Sequence, residues 1–145
     1  MTREELQGIA EQYVEAWKRR DPAAIAQYHA SDGVAESPTY ATLRGRKAIE
    51  DASRAFFTSF PDATFEIDAI LVDSPRVALF TTVTATHVNE FFGMPGTNRH
   101  IEFRYARLME TNDQGLIMHE RRIYDFTGLL VQIGVLRAKP AKPQG

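Results

Sequence analysis

The stretch HERRIYDFTGLLVQIGVL, residues 119–136, joins a strand-like run to a short apolar helix. The run ends at one carboxylate, Asp125. The helix that follows carries its apolar residues on one side, at Leu129, Leu130, Ile133 and Leu136. The stretch therefore predicts a last strand, a short C-terminal helix and an acid at their junction.

Asp125 permits two interpretations. In one, its carboxyl lies at the lip of an apolar cavity, beside Ile123, Tyr124 and Phe126. Desolvation there would favour the neutral form, as acid–base chemistry near neutral pH requires. In the other, Asp125 is simply the N-cap of the last helix, a position at which Asp is preferred. Spacing alone favours the cap, and the two roles do not exclude each other.

Composition limits the class of protein. The 145 residues suit one domain, and 43% of them are apolar, enough for an ordinary core. The net charge is −2 and no basic stripe occurs, so nucleic acid is not an expected partner. Without cysteine, disulfides and thiolate chemistry are excluded. The opening MTREELQG lacks a signal-peptide core and no apolar run approaches a membrane span, so a cytoplasmic protein without membrane contact is expected.

Helical signals occupy the first part of the chain. Thr2 and Glu5 form a capping-box pattern before a helix that extends to about residue 20. Asp21 and Pro22 stop that helix and begin a short second one. A third helix follows Gly45 and ends before residue 61. The apolar side of the first helix consists of Leu6, Ile9, Ala10, Tyr13, Val14 and Trp17, and that of the third of Ile49, Ala52, Phe56, Phe57 and Phe60.

Beyond residue 62 the period changes to two. Strands are predicted at 63–73, 76–91, 99–111 and 116–125, whereas 31–45 reads as irregular chain with at most one short strand. Residues 137–145, with two Lys-Pro pairs, are expected to form a flexible tail. We predict a single α+β domain in which three N-terminal helices pack on a curved, mostly antiparallel sheet, closed by a short C-terminal helix. Long strands curl, so such a sheet forms a cone with a pocket inside.

Three segments together resemble a known family: THVNEFFGMPGTNR (86–99), HIEFRYARLM (100–109) and IYDFTGLLVQIGVL (123–136). They resemble the SnoaL-like polyketide cyclases, which share the cone fold of nuclear transport factor 2. The family's loop pattern is met at Phe92, Gly93, Pro95, Thr97 and Arg99, and its late motif at Asp125, Leu129, Leu130, Gln132 and Gly134. Gly96 and Asn98 depart from the loop pattern.

The resemblance implies a site and a chemistry. In these cyclases the residue that matches Asp125 is the general acid/base of an aldol ring closure, which uses neither metal nor organic cofactor. The implied partner is a small hydrophobic molecule, and a homodimer through the outer sheet face is expected. The predicted pocket residues are Tyr13, Trp17, Phe56, His87, Arg104 and Tyr124.

Arginines stand where cyclases often carry aromatic or histidine side chains, at Arg121 and Arg122. The preceding strand adds Arg104, which shares a face with Glu102, and Arg107, which lies on the other face. A cavity arginine would favour an anionic ligand. The alternative is an exposed strand with cross-strand ion pairs.

Three functions remain open from the sequence. The first is cofactor-independent acid–base catalysis at Asp125 on a hydrophobic carbonyl compound. The second is a small-molecule-binding protein without catalysis, since fold does not fix function. The third, epoxide hydrolysis, would need Glu102, Arg104 and Asp125 to act together. The four histidines are scattered and no HExxH occurs, so no metal site is predicted.

Overall fold

The structure is a computed structural model that describes residues 1–137, and the tail expected at 137–145 lies outside the described residues from position 138 onward. The helices are α1 (Arg3–Lys18), α2 (Pro22–Gln27), α3 (Arg46–Ser59) and α4 (Phe126–Gln132). The strands are β1 (His29–Ser37), β2 (Ala41–Arg44), β3 (Thr64–Asp73), β4 (Arg76–Thr86), β5 (His100–Thr111) and β6 (Ile117–Tyr124). The predicted α+β class is confirmed. No helix among residues 1–137 is long and apolar enough to cross a bilayer.

All six strands form one sheet in the order β2-β1-β6-β5-β4-β3. Neighbouring strands are antiparallel except β1 and β6, which run parallel. The predicted, mostly antiparallel sheet is therefore confirmed. Because β5 and β6 are central, side chains on their inner faces lie in the middle of the molecule.

The first two helices begin where the capping residues predict. The hydroxyl of Thr2 accepts a hydrogen bond from the Glu5 amide at 3.1 Å, and the Glu5 carboxylate accepts one from the Thr2 amide at 3.0 Å. The carboxylate of Asp21 accepts a hydrogen bond from the amide of Ala24 at 3.1 Å, with Pro22 in the first turn. These local bonds satisfy amides that a helix leaves unpaired at its N-terminus.

The helices cover one face of the sheet. Helix α1 packs against β3 and β4, α3 against β1 and β2, and α4 against β5. Along β5 the side chains alternate, with Ile101, Tyr105, Arg107 and Met109 buried and their neighbours more exposed. The covered face holds the core, and a polar arginine lies within it.

Two predicted boundaries were wrong. The segment predicted as irregular chain contains two strands, β1 and β2. The order in β1 comes from pairing on both sides, for example Ala35 with Leu43 and with Glu120, rather than from a local pattern. Strand β4 ends at Thr86 instead of residue 91, because the Asp62 carboxylate accepts the hydrogen bonds of the Thr86 amide and hydroxyl, both at 2.7 Å.

Glycine at position 96, where the family's loop pattern has another residue, has a steric reason. A Cβ atom there would lie 1.9 Å from the carbonyl oxygen of Val88, which is backbone and cannot swing aside. We expect Gly96→Ala to lower the free energy of unfolding by about 2 kcal/mol, the usual scale for overpacking. Urea unfolding measures this.

Gly8→Ala is the matched control. Gly8 lies inside α1, and a Cβ there meets nothing within 4 Å. Alanine should therefore stabilise the protein by roughly 0.5–1 kcal/mol through helix propensity. Equal stabilities of the two alanine variants would show that the Val88–Gly96 contact is not tight.

Candidate ligand-binding site

A cavity of ≈ 60 Å³ lies between the helices and the inner sheet face. Its wall is mainly aromatic, from Trp17, Tyr40, Phe56, Phe65, Phe91, Phe103, Tyr105 and Tyr124. The remaining lining residues are Ser37, Thr39, Ala52, Ser53, Val83, Leu129, Arg107 and Arg122. A mostly aromatic lining with a few polar groups is usual for a small-molecule site.

The aromatic side chains fix one another in place. The Trp17 ring lies 5.6 Å from the rings of both Phe57 and Phe65. On the sheet side, the Phe103 ring lies 5.8 Å from that of Tyr124 and 6.1 Å from that of Tyr105. Tilted and edge contacts of this kind stabilise the rings beyond simple burial. The cavity therefore has a pre-formed wall suited to a flat ligand.

A buried polar cluster borders the cavity, centred on the wholly buried Glu120. Its Oε1 atom accepts hydrogen bonds from Arg107 Nη1 at 2.5 Å and from Arg122 Nε at 2.7 Å. The other oxygen, Oε2, accepts one from the Tyr13 hydroxyl at 3.0 Å. His29 Nε2 lies 3.1 Å from that hydroxyl and 3.5 Å from Oε2. Four side chains from three strands and α1 thus meet at one carboxylate.

Arg107 has its terminal nitrogens occupied within this cluster. Besides its bond to Glu120, Nη1 donates to the Tyr13 hydroxyl at 3.1 Å, and Nη2 donates to the Tyr105 hydroxyl at 2.9 Å. Its guanidinium carbon lies 4.1 Å from the Trp17 ring centroid, in cation–π contact. Arg107 is therefore a structural cation that also supports the cavity wall.

The cluster keeps its charges at neutral pH. Burial alone would raise the pKa of the Glu120 carboxyl, but Arg122 and Arg107 beside it hold that pKa well below its usual range. Burial lowers the pKa of His29 to about 4, against the opposing pull of Glu120, so the imidazole is neutral. Two guanidinium charges thus face a single carboxylate.

Two buried donors beside the cavity lack a hydrogen-bond partner among the described residues: Arg122 Nη2 and Trp17 Nε1. The Trp17 indole lies beside the Tyr13 hydroxyl, where it opposes the rise in the pKa of Tyr13 that burial causes. Buried donors in native proteins are normally paired. Arg122, which lines the cavity, therefore has donor capacity that an oxygen of a ligand or water can satisfy.

The structure brings some of the predicted pocket residues together and separates others. Trp17, Phe56 and Tyr124 line the cavity, and their contact with a ligand stays a prediction. Tyr13 lies behind the wall, with its hydroxyl in the buried cluster. His87 is fully buried outside the lining, where its Nδ1 lies 3.0 Å from Thr97 Oγ1.

Arg104 does not face the cavity. It is exposed on the outer face of β5, as is Glu102, because side chains alternate along the strand and Phe103 and Tyr105 take the inner positions. The placement of Arg104 in the pocket was therefore wrong. The inward arginines are Arg107 and Arg122.

Asp125 is exposed and caps α4, its Oδ1 accepting a hydrogen bond from the Gly128 amide at 2.8 Å. The capping interpretation is the one observed, and Asp125 is not among the lining residues. Gly128 is suited to this cap, since a Cβ there would lie 2.4 Å from Asp125 Oδ2. The expected desolvation at an apolar lip is not found, and the catalytic role stays a prediction.

The Glu120–Arg122 part of the cluster was missed by sequence reasoning, although a signal was present. Glu120, Arg122 and Tyr124 alternate along β6, so placing Tyr124 in the pocket implies the same face for the other two. Within residues 1–137, no group of three or more His, Asp or Glu side chains is arranged to hold a metal ion.

Comparison with solved structures defines the class of fold. A putative hydroxylase, AclR from Streptomyces galilaeus, matches with a TM-score of 0.82 and 26% identity over 94% of this chain and 100% of its own. A putative SnoaL-like polyketide cyclase from Jannaschia sp. CCS1 matches with a TM-score of 0.77 and 13% identity, over 89% of this chain and 93% of its own. The putative polyketide cyclase IdmH from Streptomyces antibioticus matches with a TM-score of 0.75 and 24% identity, over 90% of this chain and 99% of its own. The predicted NTF2-like cone is thereby confirmed.

The family follows from the sequence itself. The model of the SnoaL-like polyketide cyclase family matches residues 7–133, and the chain belongs to that family. Among curated proteins, none matches the chain significantly.

Proposed function

We propose that this chain binds a small, hydrophobic carbonyl compound in the central cavity and transfers a proton on it without a cofactor. The reaction class is aldol-type ring closure or isomerisation, as family membership suggests. The observation that carries the proposal is the mainly aromatic cavity between the helices and the sheet. Such a site would hold a flat conjugated ketone.

The chemistry would proceed through an enolate. A base removes a proton from the carbon beside the carbonyl, and the C–H electron pair moves towards the carbonyl oxygen. A pre-organised N–H donor at that oxygen stabilises the developing negative charge. In ring closure, the enolate carbon attacks a second carbonyl, and the alkoxide that forms takes the proton from the protonated base. In isomerisation, the protonated base returns the proton to another carbon of the conjugated system.

Asp125 is the proposed base, on the strength of the family resemblance. In the chain it lies between Tyr124 and Leu129, which both line the cavity. Its carboxylate is bound to the Gly128 amide and would have to turn away from this cap to reach a ligand. On this proposal, the capped geometry of Asp125 is that of the protein without a ligand.

Asp125→Asn separates catalysis from capping. Asn and Asp are similarly good N-caps, so α4 should keep its cap and the variant its thermal stability. Loss of a positioned base should lower kcat by roughly 10²–10⁴-fold, measured on a polyketide ester that cyclises by aldol closure. Asp125→Ala is the control for the cap, with an expected loss of about 1 kcal/mol. Full turnover by Asp125→Asn would end the assignment of Asp125 as the base.

A binding protein without catalysis is the second candidate function. It is favoured by one observation: among residues 1–137, no Asp, Glu or His side chain lines the cavity. Equal ligand affinity of wild type and Asp125→Asn, with no product from either, would decide for it. Epoxide hydrolysis is disfavoured, since Glu102 and Arg104 lie on the outer sheet face, away from the cavity.

A second copy of the chain is the proposed partner of the outer sheet face. Leu71, Phe80, Leu108 and Ile123 are exposed there by 59%, 42%, 45% and 56%. Strand register places Phe80 and Ile123 on either side of Ala106, so the patch is continuous. Large exposed apolar patches commonly mark interfaces.

Leu108→Glu should therefore turn a dimer into a monomer, as measured by sedimentation velocity. Val88→Glu is the matched control, since Val88 is 41% exposed but lies in the loop after β4. Burying a charge in an apolar interface is costly, so only Leu108→Glu should dissociate the protein. A monomeric wild type would contradict this proposal.

A further inference from the structure

We propose that the ligand carries a carboxylate, and that Arg122 binds it at the cavity wall beside Glu120. This inference rests on the proposed function, because it names the chemical class of the molecule in the same cavity. It assigns Arg122 a ligand-binding role.

Arg122 is held in position by the protein and is still left with a free donor. Its Nε donates to Glu120 Oε1 at 2.7 Å, which fixes the plane of the guanidinium. The side chain is only 9% exposed and lines the cavity, yet Nη2 has no acceptor among the described residues. A buried guanidinium N–H without an acceptor is unfavourable until one arrives.

The charges around this donor favour an anion. Arg107 and Arg122 bring two positive charges, and Glu120 supplies one negative charge in contact with both. His29 adds none while its imidazole is neutral. Because no acidic side chain of residues 1–137 lines the cavity, one positive charge faces it uncompensated. In a wall of low polarity, such a charge attracts a single negative charge strongly.

The donor geometry favours a carboxylate over a phosphate. The terminal nitrogens of Arg107 already donate to Tyr13, Glu120 and Tyr105. By contrast, Nε is the only nitrogen of the Arg122 side chain that makes a hydrogen bond within residues 1–137. The two terminal nitrogens of its guanidinium suit the two oxygens of a carboxylate, whereas a doubly charged phosphate needs more donors and more positive charge.

The test uses two ligands of nearly the same shape, anthraquinone-2-carboxylate and anthraquinone-2-carboxamide, titrated by calorimetry at pH 7.5. A charge-assisted hydrogen bond should make the carboxylate bind roughly tenfold tighter or more. Arg122→Gln should remove this preference while the carboxamide still binds. Arg121→Gln is the matched control, since the Arg121 side chain is 58% exposed on the opposite face of β6, and it should retain the preference.

Arg122→Lys provides a second variant that keeps a positive charge beside Glu120. It lacks the two terminal N–H groups of the guanidinium, so the preference for the carboxylate should fall. Equal binding of the two ligands by the wild type, or a preference unchanged in Arg122→Gln, would overturn the carboxylate assignment and leave the proposed cavity function standing. Failure of both ligands to bind would overturn both proposals.

Discussion

Glu120→Gln is expected to lower the free energy of unfolding by about 3–5 kcal/mol, the range for removing one partner of a buried ion pair. The carboxylate accepts hydrogen bonds from Arg107, Arg122 and Tyr13, and it is wholly buried. Glutamine keeps the size but leaves two buried guanidinium groups without a counter-charge. Its amide also presents donors where acceptors are needed.

Chemical denaturation at pH 7 measures this loss. Glu110→Gln is the control, because Glu110 lies exposed on the outer face of β5, and its stability should stay within about 0.5 kcal/mol of the wild type. Similar stabilities of the two variants would show that the buried cluster does not stabilise the fold.

Stability is also expected to fall by about 2 kcal/mol between pH 7 and pH 5, because of His29. Burial lowers the pKa of His29 from 6.5 to about 4, and the positive charges of Arg122, Arg107 and Arg46 add to this, while Glu120 opposes it. The unfolded state therefore binds a proton in this window that the folded state does not. The contribution of neutral His29 to the free energy of unfolding is fully present above pH 6.5 and is lost as the pH falls towards 4.

His29→Gln should flatten this dependence, since glutamine does not titrate. His100→Gln, at the exposed start of β5, should retain it. Thermal unfolding measured at half-unit pH steps gives the three profiles. Identical slopes for wild type and His29→Gln would mean that His29 is not held neutral by its burial.

Sequence reasoning succeeded where local interactions decide the structure. The caps at Thr2 and Asp21 are formed by residues three apart, so their signals are complete within one turn. Sequence reasoning did not predict strand β1, because β1 is ordered by pairing with β6, a segment more than eighty residues away. No local pattern in HASDGVAES carries that information.

The site shows the same division. Periodicity placed Trp17 and Phe56 on the buried faces of their helices, and only the family resemblance assigned them to a pocket. The alternation of side chains along a strand placed Arg107 and Arg104 on opposite faces of β5, but it did not show which face was the inner one. The contact of Arg107 with Tyr13 spans 94 positions in sequence, and only the packing of α1 on the sheet brings them together. The resemblance pointed to Asp125, whereas the geometry adds Arg122 and Glu120.

The most direct test of the cavity as a ligand site uses the single tryptophan of the chain, Trp17, whose indole N–H gives one resonance in an ¹H–¹⁵N spectrum. Titration with anthraquinone-2-carboxylate should shift this resonance progressively to saturation, because the Trp17 indole lines the cavity. An indole resonance that stays in place up to the solubility limit of the ligand, whether or not surface amides shift, would contradict binding in this cavity.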